Sequence, residues 1–347
     1  MIRDTLEALL RGRDLSRDEA AALMHTIVSG ELGDAQIAAL AVALRAKGET
    51  VEEIAGFATV LREKAIRVTT ARDGLVDTCG TGGDGTHTFN ISTAAAIVAA
   101  GAGVGIAKHG NRALSSQCGS ADVLDALGIQ TVAPDRVGDV IDRAGIGFMF
   151  APAHHPALKH AASARRALGV RTVFNLLGPL ANPAFVRRQL VGVFDPALTE
   201  TVARVLASLG SERVFVVHGS DGSDEVTTAG ETRVTSLHEG RVDTFTFAPE
   251  AVGLPRADAA ALRGGTPAEN AASITALLDG ATGPKRDAVV LNAGFAITVA
   301  GRAASIQEGV ALAAQSIDSG HARAVLDNLR TITARLAPVG AAGGVGA

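Results

Sequence analysis

Two polar loops, each following a short apolar run and separated by one helix length, constrain what residues 75–120 can build. The first apolar run ends at Leu75-Val76 and opens into Asp77-Thr78-Cys79-Gly80-Thr81-Gly82-Gly83-Asp84-Gly85-Thr86-His87-Thr88-Phe89-Asn90-Ile91-Ser92. An Ala/Ile/Val stretch over 93–100 has the length of a buried helix, and Val104-Gly105-Ile106-Ala107 reads as a second strand. The second loop is Lys108-His109-Gly110-Asn111-Arg112-Ala113-Leu114-Ser115-Ser116-Gln117-Cys118-Gly119-Ser120. Strand, helix, strand in this order predicts a β-α-β unit. Both loops then lie at one carboxyl edge of a parallel sheet.

Four glycines fall within residues 80–85. Their bare amides, with a helix start just beyond, attract an anionic, oxygen-rich ligand such as phosphate. Gly80, Gly82 and Gly85 satisfy G-x-G-x-x-G, but the stretch about 20 residues on, Ala100 to Ala107, holds no acid for a ribose hydroxyl. No Gly-Lys-Ser/Thr closes the loop either, so the P-loop pattern fails. Alone, the loop is as easily a structural turn. Lys108 and Arg112 add cations, and Asn111, Ser115, Ser116 and Ser120 add neutral hydrogen bonds; Ser120 also reads as an N-cap for 121–127. A third segment, Ser220-Asp221-Gly222-Ser223-Asp224-Glu225-Val226-Thr227, follows the apolar run 213–217. Adjacent carboxylates at a strand end suit Mg²⁺, which keeps waters and substrate phosphates; a solvated acidic turn is the plain alternative.

These three segments, with His154-His155-Pro156 through Arg165 and Asn175-Leu176-Leu177-Gly178-Pro179-Leu180-Ala181-Asn182-Pro183, resemble the anthranilate phosphoribosyltransferase family. The resemblance spans residues 16–330, with the motifs in family order. It implies transfer of the 5-phosphoribosyl group from 5-phosphoribosyl 1-diphosphate (PRPP) to the amine of anthranilate, the second step from chorismate to tryptophan. By resemblance, Gly80, Gly83, Asp84, Thr88, Asn90, Ile91, Ser92, Thr93, Lys108, His109, Gly110, Asn111, Arg112, Ala113, Leu114, Ser115, Ser116 and Ser120 hold PRPP. Gly80, His109, Asn111, His155, Arg165 and Gly178 line the anthranilate site. Ser92, Asp224 and Glu225 bind Mg²⁺, two ions being the family expectation. No general base is assigned, although His109 is a candidate. The family also implies a homodimer through the helical domain and an active site in a cleft between domains. Gln117-Cys118 departs from the family pattern, where Lys or Arg and then a small residue are usual, which puts a peripheral phosphate contact in doubt. The loop 130–137 reads one residue short.

Three rivals share parts of this pattern. Pyrimidine nucleoside phosphorylases share the fold, but their Lys-His-Ser-Thr-Gly-Gly loop differs from Lys108-His109-Gly110-Asn111-Arg112. A nucleic-acid-binding paralogue would carry a basic groove, whereas the formal net charge is −4. A PRPP enzyme acting on another aromatic amine stays open.

Domain organisation follows from periodicity and caps. Ser16-Arg17-Asp18-Glu19 and Thr50-Val51-Glu52-Glu53 are capping boxes, and Asp34 is read as the cap between them. The three helices predict a small all-helical domain over residues 1–70, and the resemblance adds that helices from about 156–182 rejoin it. Residues 71–347 form the large α/β domain, a mostly parallel sheet flanked by helices, with apolar runs at 129–132, 146–150, 190–194 and 213–217. Segments 231–237 and 241–247 predict an antiparallel ribbon, three Ala-rich helices close the domain, and the small-residue tail 340–347 is expected to be disordered. The charged start, Met1 to Glu7, argues against a signal peptide, and no apolar stretch is long enough for a membrane span. Two cysteines, Cys79 and Cys118, lack a metal-binding spacing and are expected reduced in a cytoplasmic protein.

Overall fold

A computed structural model describes residues 2–113 and 117–336. Leu114, Ser115 and Ser116 of the expected PRPP loop, and the tail 340–347, lie outside the described residues. The chain opens with four helices, α1 (Ile2–Leu10), α2 (Arg17–Val28), α3 (Asp34–Lys47) and α4 (Val51–Lys64). The capping boxes start α2 and α4: the Glu19 N–H donates to Ser16 Oγ at 3.2 Å while the Ser16 N–H donates to Glu19 Oε2 at 2.8 Å. Thr50 and Glu53 repeat the pair at 3.3 and 2.8 Å. Asp34 does not cap α3. Gly33 takes the N-cap in extended backbone, its N–H satisfied by Gln36 Oε1, and Asp34 is the first helical residue, where its charge suits the positive helix end.

The α/β part runs β1 (Val76–Gly80), α5 (Ile91–Gly101), β2 (Ile106–Gly110), α6 (Ser120–Ala126), α7 (Val137–Ala144), β3 (Ile146–Phe150), α8 (Ala151–His154), α9 (Lys159–Leu168), α10 (Val173–Leu180), β4 (Arg188–Gly192), α11 (Leu198–Ser208) and β5 (Arg213–Gly219). It ends with β6 (Thr232–His238), β7 (Arg241–Phe247), α12 (Pro267–Leu278), α13 (Pro284–Val299), α14 (Ile306–Asp318) and α15 (His321–Leu336). Four helices, not three, thus close the described chain. Residues 129–132 are not a strand. Their backbone is used otherwise, Ile129 N–H closing the end of α6 on Leu124 O and Gln130 N–H donating to Thr333 Oγ1 on α15. Ser120 is the first residue of α6 and not its cap; Gly119 caps, with Asp122 returning to its N–H at 2.9 Å.

The seven strands lie in the order β3-β2-β1-β4-β5-β6-β7, with β1 to β5 parallel and β6 and β7 antiparallel. From β1 the chain moves outward through β2 to β3, then returns to place β4 on the other side of β1. That reversal opens a crevice beyond the carboxyl ends of β1 and β4, where open α/β sheets place their ligands. Gly80, Gly110, Gly192 and Gly219 end the four strands around it.

Each sheet face has its own core. One face packs under α5, α13, α14 and α15, with Ile97, Val289 and Phe295 fully buried. The other, carrying Val191, Val193, Val214 and Val216, packs on α11 and is continuous with the core of α2, α3 and α4 around Phe57 and Leu61. Ala161 and Ala164 of α9, and Phe174 and Leu177 of α10, belong to this second core. The segment between β3 and β4 therefore packs with the N-terminal helices and also borders the sheet edge.

Candidate active site

The acidic turn after β5 folds back onto the glycine loop. Asp224 Oδ2 accepts the Gly82 N–H at 2.7 Å, and Glu225 Oε1 accepts the Ser92 N–H at 3.0 Å in the first turn of α5. Asp84 joins them, since the Asp224 N–H lies 3.4 Å from Asp84 Oδ2. The turn is fixed from behind by Asn292 of α13, fully buried, which pairs with both the N–H and the C=O of Val226 at 3.0 and 2.8 Å. Glycine at 80 and 192 leaves room for Asp224: a Cβ on Gly80 would strike its carboxylate, and one on Gly192 its carbonyl.

Burial raises the pKa of both Asp224 and Glu225. Asp84 raises Asp224 further, and Asp224 raises Glu225, while Lys108 opposes the shift without cancelling it. Like charges drawn from water at one spot favour protonation or a cation. Among the described residues no cluster of three or more His, Cys, Asp and Glu could hold a metal by itself. That donor set fits Mg²⁺, which takes one or two carboxylates and draws its remaining oxygens from phosphates and water.

The glycine turn presents bare backbone, with φ of 66°, 69° and 79° at Gly82, Gly83 and Gly85, a region that disfavours side chains. Lys108 is buried in the middle of β2; its ammonium donates to Thr78 O and lies 3.4 Å from Ser92 Oγ. Ile91 begins α5, and Thr93 Oγ1, two residues along, is buried with no partner among the described residues. Asn90 is engaged on both sides, donating to Cys118 O and accepting from Asn270 Nδ2 at 3.0 Å. Thr88 bridges to Arg263, and the two border a cavity of about 390 Å³ that also meets Gly85, Gln117 and Cys118.

In the second loop, a Cβ on Gly110 would meet Ser120 Oγ, which donates to Asn111 O at 3.1 Å. Arg112 turns toward α6, pairing with Asp122 and Asp125 at 2.9 and 2.7 Å, and the Ala113 N–H also binds Asp122. The described contacts give Arg112 a role in holding the loop rather than a free cation. Ser120 and Asn111 likewise hold the loop to α6.

His109, His155 and Gly178 come together on the other side of β2. His109 Nδ1 lies 3.0 Å from Gly178 O; a carbonyl only accepts, so Nδ1 carries the proton and the buried Nε2 keeps a lone pair without a partner. The His155 ring is 5.2 Å away, tilted, and among the described residues no hydrogen bond of ordinary geometry reaches its nitrogens, although the Leu61 and Ala181 backbone faces it. Burial, then the neighbouring imidazole, lowers His109 to about 3, and burial followed by His154 lowers His155 to about 4. Both rings are neutral near pH 7. Arg165 sits on α9 with its guanidinium over the Phe174 ring at 5.5 Å; burial lowers its pKa, and among the described residues no ion pair holds it. Nor does a described hydrogen bond join it to His109 or Gly178.

Sequence reading missed several contributors. Asp77, Asn182 and Asn292 act through buried hydrogen bonds to partners far along the chain, and Gly192 through the space it leaves. Arg171, between α9 and α10, reaches the glycine turn. Nothing in local spacing marks these five.

The helical bundle domain of the glycosyl transferase family matches residues 3–65, and the a/b domain of that family matches residues 72–323. The anthranilate phosphoribosyltransferase of Moorella thermoacetica is 56% identical over 327 residues, covering 94% of this chain and 96% of its own. That of Symbiobacterium thermophilum is 54% identical over 336 residues, covering 95% and 98%. Among solved structures, the Thermus thermophilus enzyme superposes with a TM-score of 0.91 at 45% identity, covering 95% of this chain and 99% of that one. The Saccharomyces cerevisiae enzyme in complex with PRPP and Mg superposes at 0.88 with 29% identity, covering 96% and 98%. Sequence, both domains and fold agree: the chain belongs to the anthranilate phosphoribosyltransferases of the glycosyl transferase family.

Proposed function

We propose that this chain binds PRPP over the glycine turn and the start of α5, binds anthranilate beside His109, His155, Arg165 and Gly178, and joins them in the crevice at the carboxyl edge of the sheet. The observation that carries the assignment is the meeting of Gly82, Ser92, Asp224 and Glu225, because it gathers the glycine turn, the start of α5 and two buried carboxylates around one point. A yeast relative binds PRPP with Mg, and another structure of it holds 4-fluoroanthranilate, which supports both halves.

In the transfer, the C1–O bond to diphosphate breaks, the arylamine nitrogen bonds to C1 from the opposite face, and one amine proton is lost. The N–H groups of residues 83–85 and the Lys108 ammonium offset charge gathering on the departing oxygens, an electrostatic contribution of about 3 kcal/mol per well-placed donor. Ser92, Asp224 and Glu225 would hold Mg²⁺, in our proposal two ions, which supplies positive charge to the diphosphate when bound. The neutral His109, its Nδ1 proton committed to Gly178, offers Nε2 to an amine N–H and so orients the nucleophile. An arylamine is uncharged at pH 7, so orientation suffices and no strong base is needed. Arg165 would meet the anthranilate carboxylate, which a guanidinium binds through two parallel hydrogen bonds.

Residues 1–70 with about 156–182 act in this reading as one wall of the cleft and 71–347 as the other. Exposed Leu10 and Val42 on α1 and α3 support a homodimer through the helical face. Two free, buried cysteines support a reducing, cytoplasmic setting, and no described helix is long and apolar enough to cross a membrane. The test is loss of anthranilate fluorescence with PRPP and Mg²⁺. Rapid loss is expected; no loss, with phosphorolysis of uridine or thymidine instead, would overturn the assignment.

A further inference from the structure

We propose that Arg171, in the connection between α9 and α10, contacts the diphosphate of PRPP from across the cleft and stabilises it as it leaves. The inference rests on the PRPP site proposed above and assigns a residue beyond it. Three observations carry it.

The first is position. Arg171 Nε and Nη2 lie 3.6 and 3.9 Å from the point where a Cβ on Gly83 would stand, so the guanidinium hangs over the bare glycine turn. The turn belongs to the sheet side and Arg171 to the segment packed with the N-terminal helices. One cation thus faces the phosphate loop from the opposite wall.

The second is preorganisation. The guanidinium carbon lies over the Phe194 ring, 4.3 Å from its centroid, just past β4. The Phe194 N–H in turn donates to Thr81 Oγ1 at 3.2 Å, and the Thr81 N–H to Gly192 O at 2.9 Å. Ring, turn and guanidinium therefore form one unit. A guanidinium seated over a ring is held in place without using its N–H groups in an ion pair, and its planar fork suits phosphate oxygens.

The third is the lack of a counter-charge. Among the described residues no carboxylate pairs with Arg171. The acids adjoining its two supports are engaged elsewhere: Asp84 with Thr86 and Asp224 N–H, Asp195 with the Ala197 N–H. A half-buried arginine fixed beside an anion-binding turn, with no anion of its own, is placed for a ligand's charge. Thr172, next in the chain, starts α10, the helix whose Gly178 orients His109. One rigid element thereby carries the diphosphate contact and the group that sets the nucleophile.

The experiment measures Mg-pyrophosphate binding by calorimetry, and steady-state kinetics, for wild type, Arg171→Met and Arg171→Lys. Methionine keeps an unbranched apolar stem on Phe194 and removes the charge. We expect pyrophosphate affinity and the KM for PRPP to worsen together by roughly tenfold or more in Arg171→Met, in line with loss of a hydrogen bond from a charged donor. Lysine recovers part of this, and KM for anthranilate stays within about twofold, because the described contacts of Arg171 are with Gly83 and Phe194 and not with His109, His155, Arg165 or Gly178. Unchanged pyrophosphate affinity in Arg171→Met would overturn the inference. So would an equal rise in both KM values with a lower melting temperature, the signature of a structural prop. If wild type binds pyrophosphate but does not consume anthranilate, the proposed reaction fails while the calorimetry still decides the role of Arg171.

Discussion

Asn182 donates from Nδ2 to Asp77 Oδ2 at 2.7 Å, both residues buried, and so fastens the end of α10 to the middle of the sheet. The same amide nitrogen reaches Ala107 O at 3.0 Å, and Asn182 Oδ1 accepts the Ala184 N–H at 2.8 Å. Asp77 also accepts the His109 N–H at 3.1 Å. One amide and one carboxylate thus set His109 from the strand side, while Gly178 sets its ring from the helix side.

Removing that amide leaves buried acceptors without donors. Asn182→Ala is expected to lower stability by about 2–3 kcal/mol, the cost of unsatisfied buried groups. Because the displaced segment carries Gly178, KM for anthranilate should rise more than KM for PRPP. Denaturant unfolding and two-substrate kinetics check this; equal changes in both KM values would detach Asn182 from the nucleophile side.

Gly192→Ala tests the close approach of the acidic turn to β4. The new Cβ would occupy the position of Asp224 O, and backbone held by Asn292 cannot yield freely. We expect about 1–3 kcal/mol of destabilisation from overpacking, together with loss of Mg²⁺-dependent turnover. Retained turnover at wild-type stability would show that the turn has slack.

What the sequence discloses and conceals follows from the range of each interaction. Ser16 and Thr50 announce helices because a capping box closes within four residues. Strands β3 and β7 match their expected limits because their apolar or alternating runs are local. Helix α1 carries an apolar stripe at helical spacing, Ile2, Leu6, Leu9 and Leu10, but it is nine residues long with no capping signal before it, so the stripe alone does not announce a helix. Residues 129–132 read as a strand because an apolar run bounded by polar residues does so whether its backbone finds a strand or, as here, a helix end and Thr333. At the site, glycine and acid loops are legible as chemistry. The clamp of Asn292 on Val226 joins residues 66 apart, and that of Asn182 on Asp77 joins residues 105 apart, so only the fold reveals either.

Two of the three depressed histidines make a pH prediction. His109 and His155 stay neutral in the folded protein down to about 3 and about 4, whereas unfolded histidine takes up its proton near 6.5. The unfolded chain therefore binds more protons below 6.5, and stability falls as pH drops from there toward the folded values. Thermal melts should show His155→Gln losing less stability between pH 7 and pH 5 than wild type. Parallel losses would show that the imidazole is not held neutral by burial.

Asp224→Asn with Glu225→Gln separates function from stability at one place. The amides retain oxygens that can accept from Gly82 and Ser92, so the local hydrogen bonds survive. What disappears is negative charge that burial and Asp84 make unfavourable in the metal-free protein. Without added Mg²⁺ the double variant should therefore melt at or above wild type, a gain of about 1 kcal/mol being typical when a functional site is relieved of strain. Turnover should fall at least a hundredfold, roughly the loss seen when a key electrostatic group is removed. Added Mg²⁺ should raise the melting point of wild type and leave the variant unchanged, because a ligand stabilises only a fold that binds it. A variant that melts earlier than metal-free wild type would mean the carboxylates hold the turn together, and the metal assignment would then lose its physical basis.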